Sequence, residues 1–184
     1  MQFNHDNMTG VYLAADIVNL RARTDWSLDA LEAVLRHHDI RRPELSPAAV
    51  IALRRWAVRL RAVFAAPDVE TRCHAINGLL VDGAAGVYLT THNGLRPHLH
   101  FTPDEDDVVG RIMSVTSGSL AIFTVEAEGN RLGACGRSGC LRVFVDTSRN
   151  GRRAYCSTRC SNADAVDRHR RRARHSTRHP APAE

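Results

Sequence analysis

Cys135-Gly136-Arg137-Ser138-Gly139-Cys140, followed after fifteen residues by Cys156-Ser157-Thr158-Arg159-Cys160, decides how the carboxyl end of this chain folds. Two close cysteine pairs separated by a hairpin-sized insert have the ligand spacing of a structural zinc site. Gly136 and Gly139 lie between the first pair, so the backbone there can wrap tightly and aim both sulfurs inward. Cys73 stands apart. An odd cysteine total without a secretory leader argues against a disulfide framework. Four thiolates with no vacant position make a closed tetrahedral site, expected to be structural rather than catalytic. Redox-active thiols and an iron–sulfur cluster are the rival uses of four cysteines.

The insert explains why a metal is needed. Leu132, Leu141, Val143, Phe144, Val145 and Tyr155 are its larger apolar residues, too few to bury the surface that a small unit needs to fold unaided. Leu141 to Asp146 is β-prone, Asn150-Gly151 is a favoured hairpin turn, and Arg152 to Tyr155 is expected to return as the partner strand. If a helix starts near Ser157, Cys156 and Cys160 share one face of it. Knuckle, hairpin and ligand-bearing helix together predict a treble-clef-like finger.

Charge changes at the same point in the chain. Every one of the 25 basic residues is arginine. Residues 1–132 carry 13 Arg against 16 acids, whereas residues 133–184 carry 12 Arg against 4 acids. A mildly acidic body with a basic end is the asymmetry expected of a polyanion-binding tail. Four thiolates and one Zn²⁺ would lower the net +8 of the end only to +6.

The 184-residue chain, 43% hydrophobic and 24% charged, suits a globular protein with a small appendage. No run approaches the roughly 18–20 apolar residues of a membrane span. Met1–Gly10 has neither a basic n-region nor an apolar h-region, so a cytoplasmic protein without a membrane partner is expected. Periodicity predicts helices over Thr9–Arg21, from Ser27 through His38, from Ser46-Pro47 to about Ala65, and over Val69–Val81. Val87–Thr91 and Pro97–Phe101 flank Asn93-Gly94 and read as a β-hairpin. A helical pattern resumes from about Pro103 to Glu128, with Asp104, Glu105, Asp106 and Asp107 crowding its first turn. The fold expected is mainly α with small β-hairpins: an α-rich domain over 1–128 and the four-cysteine finger, basic helix and disordered tail over 129–184. The tail is read as beginning near His175.

Three features of the second unit resemble the CGNR zinc finger family. They are Cys135-x4-Cys140, the run Phe-Val-Asp-x-Ser-x-Asn-Gly-Arg-Arg from Phe144 to Arg153, and Tyr155-Cys156-Ser157 followed by Cys160-x-Asn162. In that family the finger follows a helical ABATE domain, and Leu13-Ala14-Ala15-Asp16-Ile17-Val18-Asn19 is similar to that domain's opening Leu-x-x-Asp-Phe-x-Asn pattern. The resemblance implies a DNA-binding, stress-related transcriptional regulator. The namesake Cys-Gly-Asn-Arg stands here as Cys160-Ser161-Asn162-Ala163, so the family arginine is missing and either Arg168 takes its role or a contact is lost.

Past Cys160 the helix is expected to run to about Arg174, presenting Arg168, Arg170, Arg171, Arg172 and Arg174 to DNA. Arg152, Arg153 and Arg159 would grip backbone phosphates, and Asp164 and Asp167 would orient Arg168 and Arg171. The amino-terminal domain is read as a sensor or dimerisation module, with a small-molecule ligand and a second copy of the chain as candidate partners. A zinc-stabilised RNA- or protein-binding module and a thiol-based redox switch are the alternatives. Among weaker signals, His98-x-His100 reads as an edge strand, His37-His38 as a helix-end pair, Cys73 as a buried inert thiol, and Trp26 and Trp56 as core. Phosphate-binding glycine loops, hydrolase elbows and zinc-protease motifs are absent from the sequence, and an enzyme is not expected.

Overall fold

The computed structural model describes residues 5–84, 86–90, 98–101 and 107–178, with the backbone alone at 5–7, 90, 98, 100 and 173–178. Four helices come first: α1 (His5–Ala22), α2 (Leu28–His37), α3 (Pro47–Ala65) and α4 (Val69–Gly83). Short strands β1 (Tyr88–Thr90) and β2 (His98–His100) pair antiparallel, with Leu89 opposite Leu99. Then follow α5 (Val108–Glu126), strands β3 (Leu132–Ala134) and β4 (Val143–Val145), and α6 (Thr158–Arg178).

Capping chemistry sets the helix starts. Ser27, Ser46, Asp68 and Asp107 each accept a hydrogen bond from the backbone N–H three residues on, and Pro47 occupies the first turn of α3. Helix α1 begins earlier than the apolar pattern suggests, at His5. Helix α5 begins at Val108, with Asp107 as its cap; residues 104–106, also expected in its first turn, lie outside the described residues, as does the Asn93-Gly94 turn.

The body is built around α5, which packs on α1, α3 and α4. Its buried face uses small hydroxyl residues, among them Ser114, Thr116, Ser117 and Ser119. Thr116 donates to the Ile112 carbonyl (2.7 Å) and accepts from the Trp56 indole N–H (3.0 Å), so its buried hydroxyl is satisfied on both sides. Gly10 allows α1 to approach α5 closely, since a Cβ there would stand 2.2 Å from Ser119 Oγ. With a mean hydropathy of 1.5, α5 is long and apolar enough to cross a membrane, contrary to the absence of such a run expected above. Half of that apolar window is buried among the neighbouring helices, as for the central helix of a helical domain.

The inward face of α4 carries Arg72, Ile76, Leu79 and Gly83. Cys73, one residue off that stripe, is exposed rather than buried as expected, because the inward position beside it belongs to Arg72. Trp56 is core, as expected, while Trp26 only packs against the core's margin.

Composition changes near residue 129, yet the apolar core continues past that point. Leu132, Val143 and Val145 belong to the same buried cluster as Leu13, Ile17, Leu53, Leu60 and Phe123. Two polar clamps hold this seam. Asn19 donates through Nδ2 to the Val143 carbonyl (3.1 Å) and accepts from the Val143 N–H (2.9 Å), acting as an added strand residue beside β4. Arg72, only 7% exposed, donates to the carbonyls of Val63, Ala66, Leu132 and Gly129, joining the carboxyl end of α3 to β3. Burial draws its guanidinium below the usual arginine range.

Replacing Asn19 with Ala leaves two buried main-chain groups of β4 unpaired. A loss of roughly 2–4 kcal/mol in urea unfolding is expected, the scale of two such hydrogen bonds.

Candidate metal centre

The knuckle sits inside the β3–β4 hairpin, whose register pairs Leu132 with Val145 and Ala134 with Val143. This corrects the expected pairing of β4 with Arg152–Tyr155. The core explains the difference: the side chains of Leu132, Val143 and Val145 are drawn into the helical body, so β3 and β4 lie side by side on it. Residues 152–155 instead form a loop. The turn before it closes with the Gly151 N–H on the Ser148 carbonyl (3.3 Å).

Main-chain bonds then aim the first two sulfurs. The Cys135 N–H donates to the Arg142 carbonyl (2.9 Å) and the Cys140 N–H to the Arg137 carbonyl (3.1 Å). Gly139 takes a left-handed φ of +78°, which lets the knuckle turn back on itself. The Gly136 N–H reaches the Ala154 carbonyl (2.9 Å), bringing the second half of the site alongside. Helix α6 begins at Thr158, so Cys156 precedes it and Cys160 lies in its first turn, where one shared helical face was expected. Ser157 accepts from the Cys160 N–H (3.3 Å) and caps this turn.

The result is a cluster of four sulfurs. Cys140 and Cys156 Sγ stand 3.8 Å apart, Cys156 and Cys160 3.5 Å, and Cys160 and Cys140 3.9 Å; Cys135 completes the group, all four within 4.8 Å of one another. All four thiols are free. A tetrahedral Zn–S₄ centre with bonds of about 2.3 Å spaces its sulfurs by roughly 3.8 Å. A disulfide would bring two of them to about 2.05 Å. The residues therefore fit zinc, as the sequence spacing predicts, and all four ligand assignments meet at one point.

Electrostatics agree with that use. Burial pushes the Cys140 thiol up and the Cys156 thiol up to about 12. The Ser157 hydroxyl draws Cys160 down to about 7. Thiols this close cannot all ionise without a cation between them, and a bound Zn²⁺ supplies the charge that releases their protons.

Several supporting residues escaped the spacing argument. Asp146, buried behind β4, accepts from the Ser148 N–H (2.9 Å) and the Arg153 N–H (2.8 Å). Burial alone would raise its carboxyl, but bonds from Ser148 and Arg153 outweigh it and hold the group below the usual carboxylate range. Tyr155 donates through its hydroxyl to Asp164 (2.8 Å), tying the loop to α6 and holding Asp164 below its ordinary range. Arg61 of α3 donates to the Leu141 carbonyl at the knuckle. An Asp two residues before Ser is an Asx-turn signal that could have revealed the first of these; the others depend on contacts distant in sequence.

The arginines divide into two groups. Arg153 faces the finger: its guanidinium lies 4.8 Å over the Phe144 ring and donates to the carbonyls of Tyr155 (2.9 Å) and Cys156. It is engaged in holding the loop, in place of the free phosphate contact expected of it. Arg168 pairs with Asp164 (2.9 Å) as expected, whereas no ion pair joins Asp167 to Arg171 among the described residues. Arg152, Arg159, Arg170, Arg171 and Arg172 are exposed. The Arg174 side chain lies outside the described residues. Helix α6 continues to Arg178, through part of the tail expected to be disordered; its Arg- and Ala-rich run favours helix.

Zinc removal tests the centre directly. A Cys160→Ser variant or a strong chelator is expected to abolish stoichiometric zinc and unfold the finger, since structural zinc contributes on the order of 10–16 kcal/mol. Protons compete with zinc for the thiolates, so affinity falls with acidity. Zinc release followed from about pH 8 to about pH 5 is expected to increase steadily.

The family model of the CGNR zinc finger matches residues 131–173, a segment that contains all four ligands, both finger strands and most of α6. No curated protein matches the chain. Residues 131–173 are thus similar to a CGNR zinc finger, with zinc as the cofactor its four cysteines fit.

Proposed function

We propose that the chain is a DNA-binding transcriptional regulator, in which zinc holds α6 against a duplex and the helical body senses a signal or associates. The observation that carries this reading is the setting of α6. Its 21 residues span about 32 Å at 1.5 Å per residue. Only its base is anchored, by Cys160 at the metal and by the Tyr155–Asp164 bond. Beyond that, α6 has no substantial packing against another helix or strand of the described residues. A helix polar all round that leaves the fold gains little from its own protein, and its arginines suit a polyanion.

Arg170, Arg171 and Arg172 are the candidates for groove and phosphate contacts, with Arg152 and Arg159 at the helix base. Arg168, tied to Asp164, is the candidate to take the role of the family arginine that is absent at Ala163.

The body contributes two supporting features. Val87, Leu89 and Leu99 are exposed on and beside β1 and β2, a surface suited to association with a second copy. A cavity of about 340 Å³, lined by Arg72, Arg131, Phe144, Asp146 and Arg153 among others, opens at the seam between body and finger and suits a small ligand.

Binding to random-sequence duplex DNA, followed by anisotropy across a salt series, tests the reading. With five exposed arginines on phosphates, log affinity against log salt is expected to fall with a slope of roughly −4 to −5. Replacing Arg170 and Arg171 with Ala is expected to flatten that slope by about 2 without releasing zinc. Retention of RNA in preference to duplex DNA, or affinity indifferent to salt, contradicts the proposal.

A further inference from the structure

A second group of metal-ligating side chains lies away from the finger, where α2 ends against α1. Helix α2 buries Leu31 and Leu35 and stops in a Schellman turn. Asp39 takes a left-handed φ of +55°, its N–H bonds to the Arg36 carbonyl (3.2 Å), and the Ile40 N–H bonds to the Leu35 carbonyl (3.0 Å). This ending has a consequence for His37 and His38. On a continuous helix, consecutive side chains diverge by about 100° and do not face one another. His38 has left the helical conformation, with φ −102° and ψ 22°, and the two rings come to 4.9 Å between centroids at 77°. Asp16 reaches them from α1, its Oδ2 standing 2.9 Å from His38 Nε2.

We infer that Asp16, His37 and His38 bind a divalent first-row transition ion such as Zn²⁺, Ni²⁺ or Co²⁺. One ligand atom from each residue lies within 4.8 Å of the other two. Two imidazoles and one carboxylate form the mixed N/O donor set that borderline ions prefer. Bonds of about 2.0–2.2 Å in a tetrahedral centre space such donors by roughly 3.3 Å. The Asp16–His38 pair therefore opens by a few tenths of an ångström, and His37 turns inward. His37 is exposed and Asp16 half-exposed, so both can move, while buried His38 supplies a fixed floor. A plain hydrogen bond would use only Asp16 and His38; the position of His37 is what a cation adds a use for. Three protein donors leave at least one position for water, unlike the closed sulfur site of the finger. The site also sits one helical turn from Asn19, the residue by which α1 holds β4.

The test uses the full chain with its finger loaded with zinc, titrated with Ni²⁺ by calorimetry and mass spectrometry. A second divalent ion per chain is expected. His37→Ala, at an exposed position, and Asp16→Asn are each expected to weaken it by roughly tenfold or more, the scale even an outer-shell partner commands. Finger zinc stays at one per chain throughout. The thermal midpoint rises with free Ni²⁺ in the unaltered chain and does not in the His37→Ala variant. Uptake of zinc alone, or a second ion whose affinity both variants leave unchanged, overturns the inference.

Discussion

Four sulfurs within 4.8 Å of one another are costly to ionise together, and that cost organises the carboxyl third of this protein. Without a cation, burial keeps Cys140 and Cys156 protonated and the ligand loops have little apolar surface to hold them. With zinc, the repulsion becomes attraction and the knuckle, the Asp146 loop and the first turn of α6 acquire one common anchor. The direction in which α6 leaves the fold follows from that anchor and from the Tyr155–Asp164 bond beside it.

Metal is only half of the finger's support. Its two strands lie on the helical body as part of a single apolar core, and Asn19, Arg61 and Arg72 meet its main chain from α1, α3 and α4. Each of these polar side chains satisfies backbone groups that a short two-stranded hairpin leaves unpaired. The finger is consequently oriented relative to the body rather than tethered to it. A change in α1 or α4 has a direct route to β3 and β4 through Asn19 and Arg72.

The arginines show how position changes the meaning of a residue type. Arg72 is buried and serves carbonyls, Arg153 covers Phe144 and braces the loop, and Arg168 is paired with Asp164. Arg170, Arg171 and Arg172 of α6 face solvent along a helix with little other support among the described residues. Composition treats all of these alike, and the net positive charge of the segment counts arginines that are already committed to the fold.

Local chemistry made much of the architecture legible before any coordinates. Ser27 and Ser46 announce helix starts because capping is a contact between near neighbours, and the two cysteine pairs announce zinc because ligand geometry constrains spacing over a few residues. The strand partner of β4, the outward turn of Cys73, the engagement of Arg153 and the meeting of Asp16 with His37 and His38 were not legible. The first two depend on which face of an element is drawn into the core, the third on how the loop folds back over Phe144, and the last on residues more than twenty positions apart meeting across a helix pair. Sequence alone therefore determined where α2, α3 and α4 start and which four sulfurs meet. Packing of the whole chain decided what those sulfurs rest on, because burial of β3 and β4 against α1 and α3 is a long-range energy that no local pattern encodes.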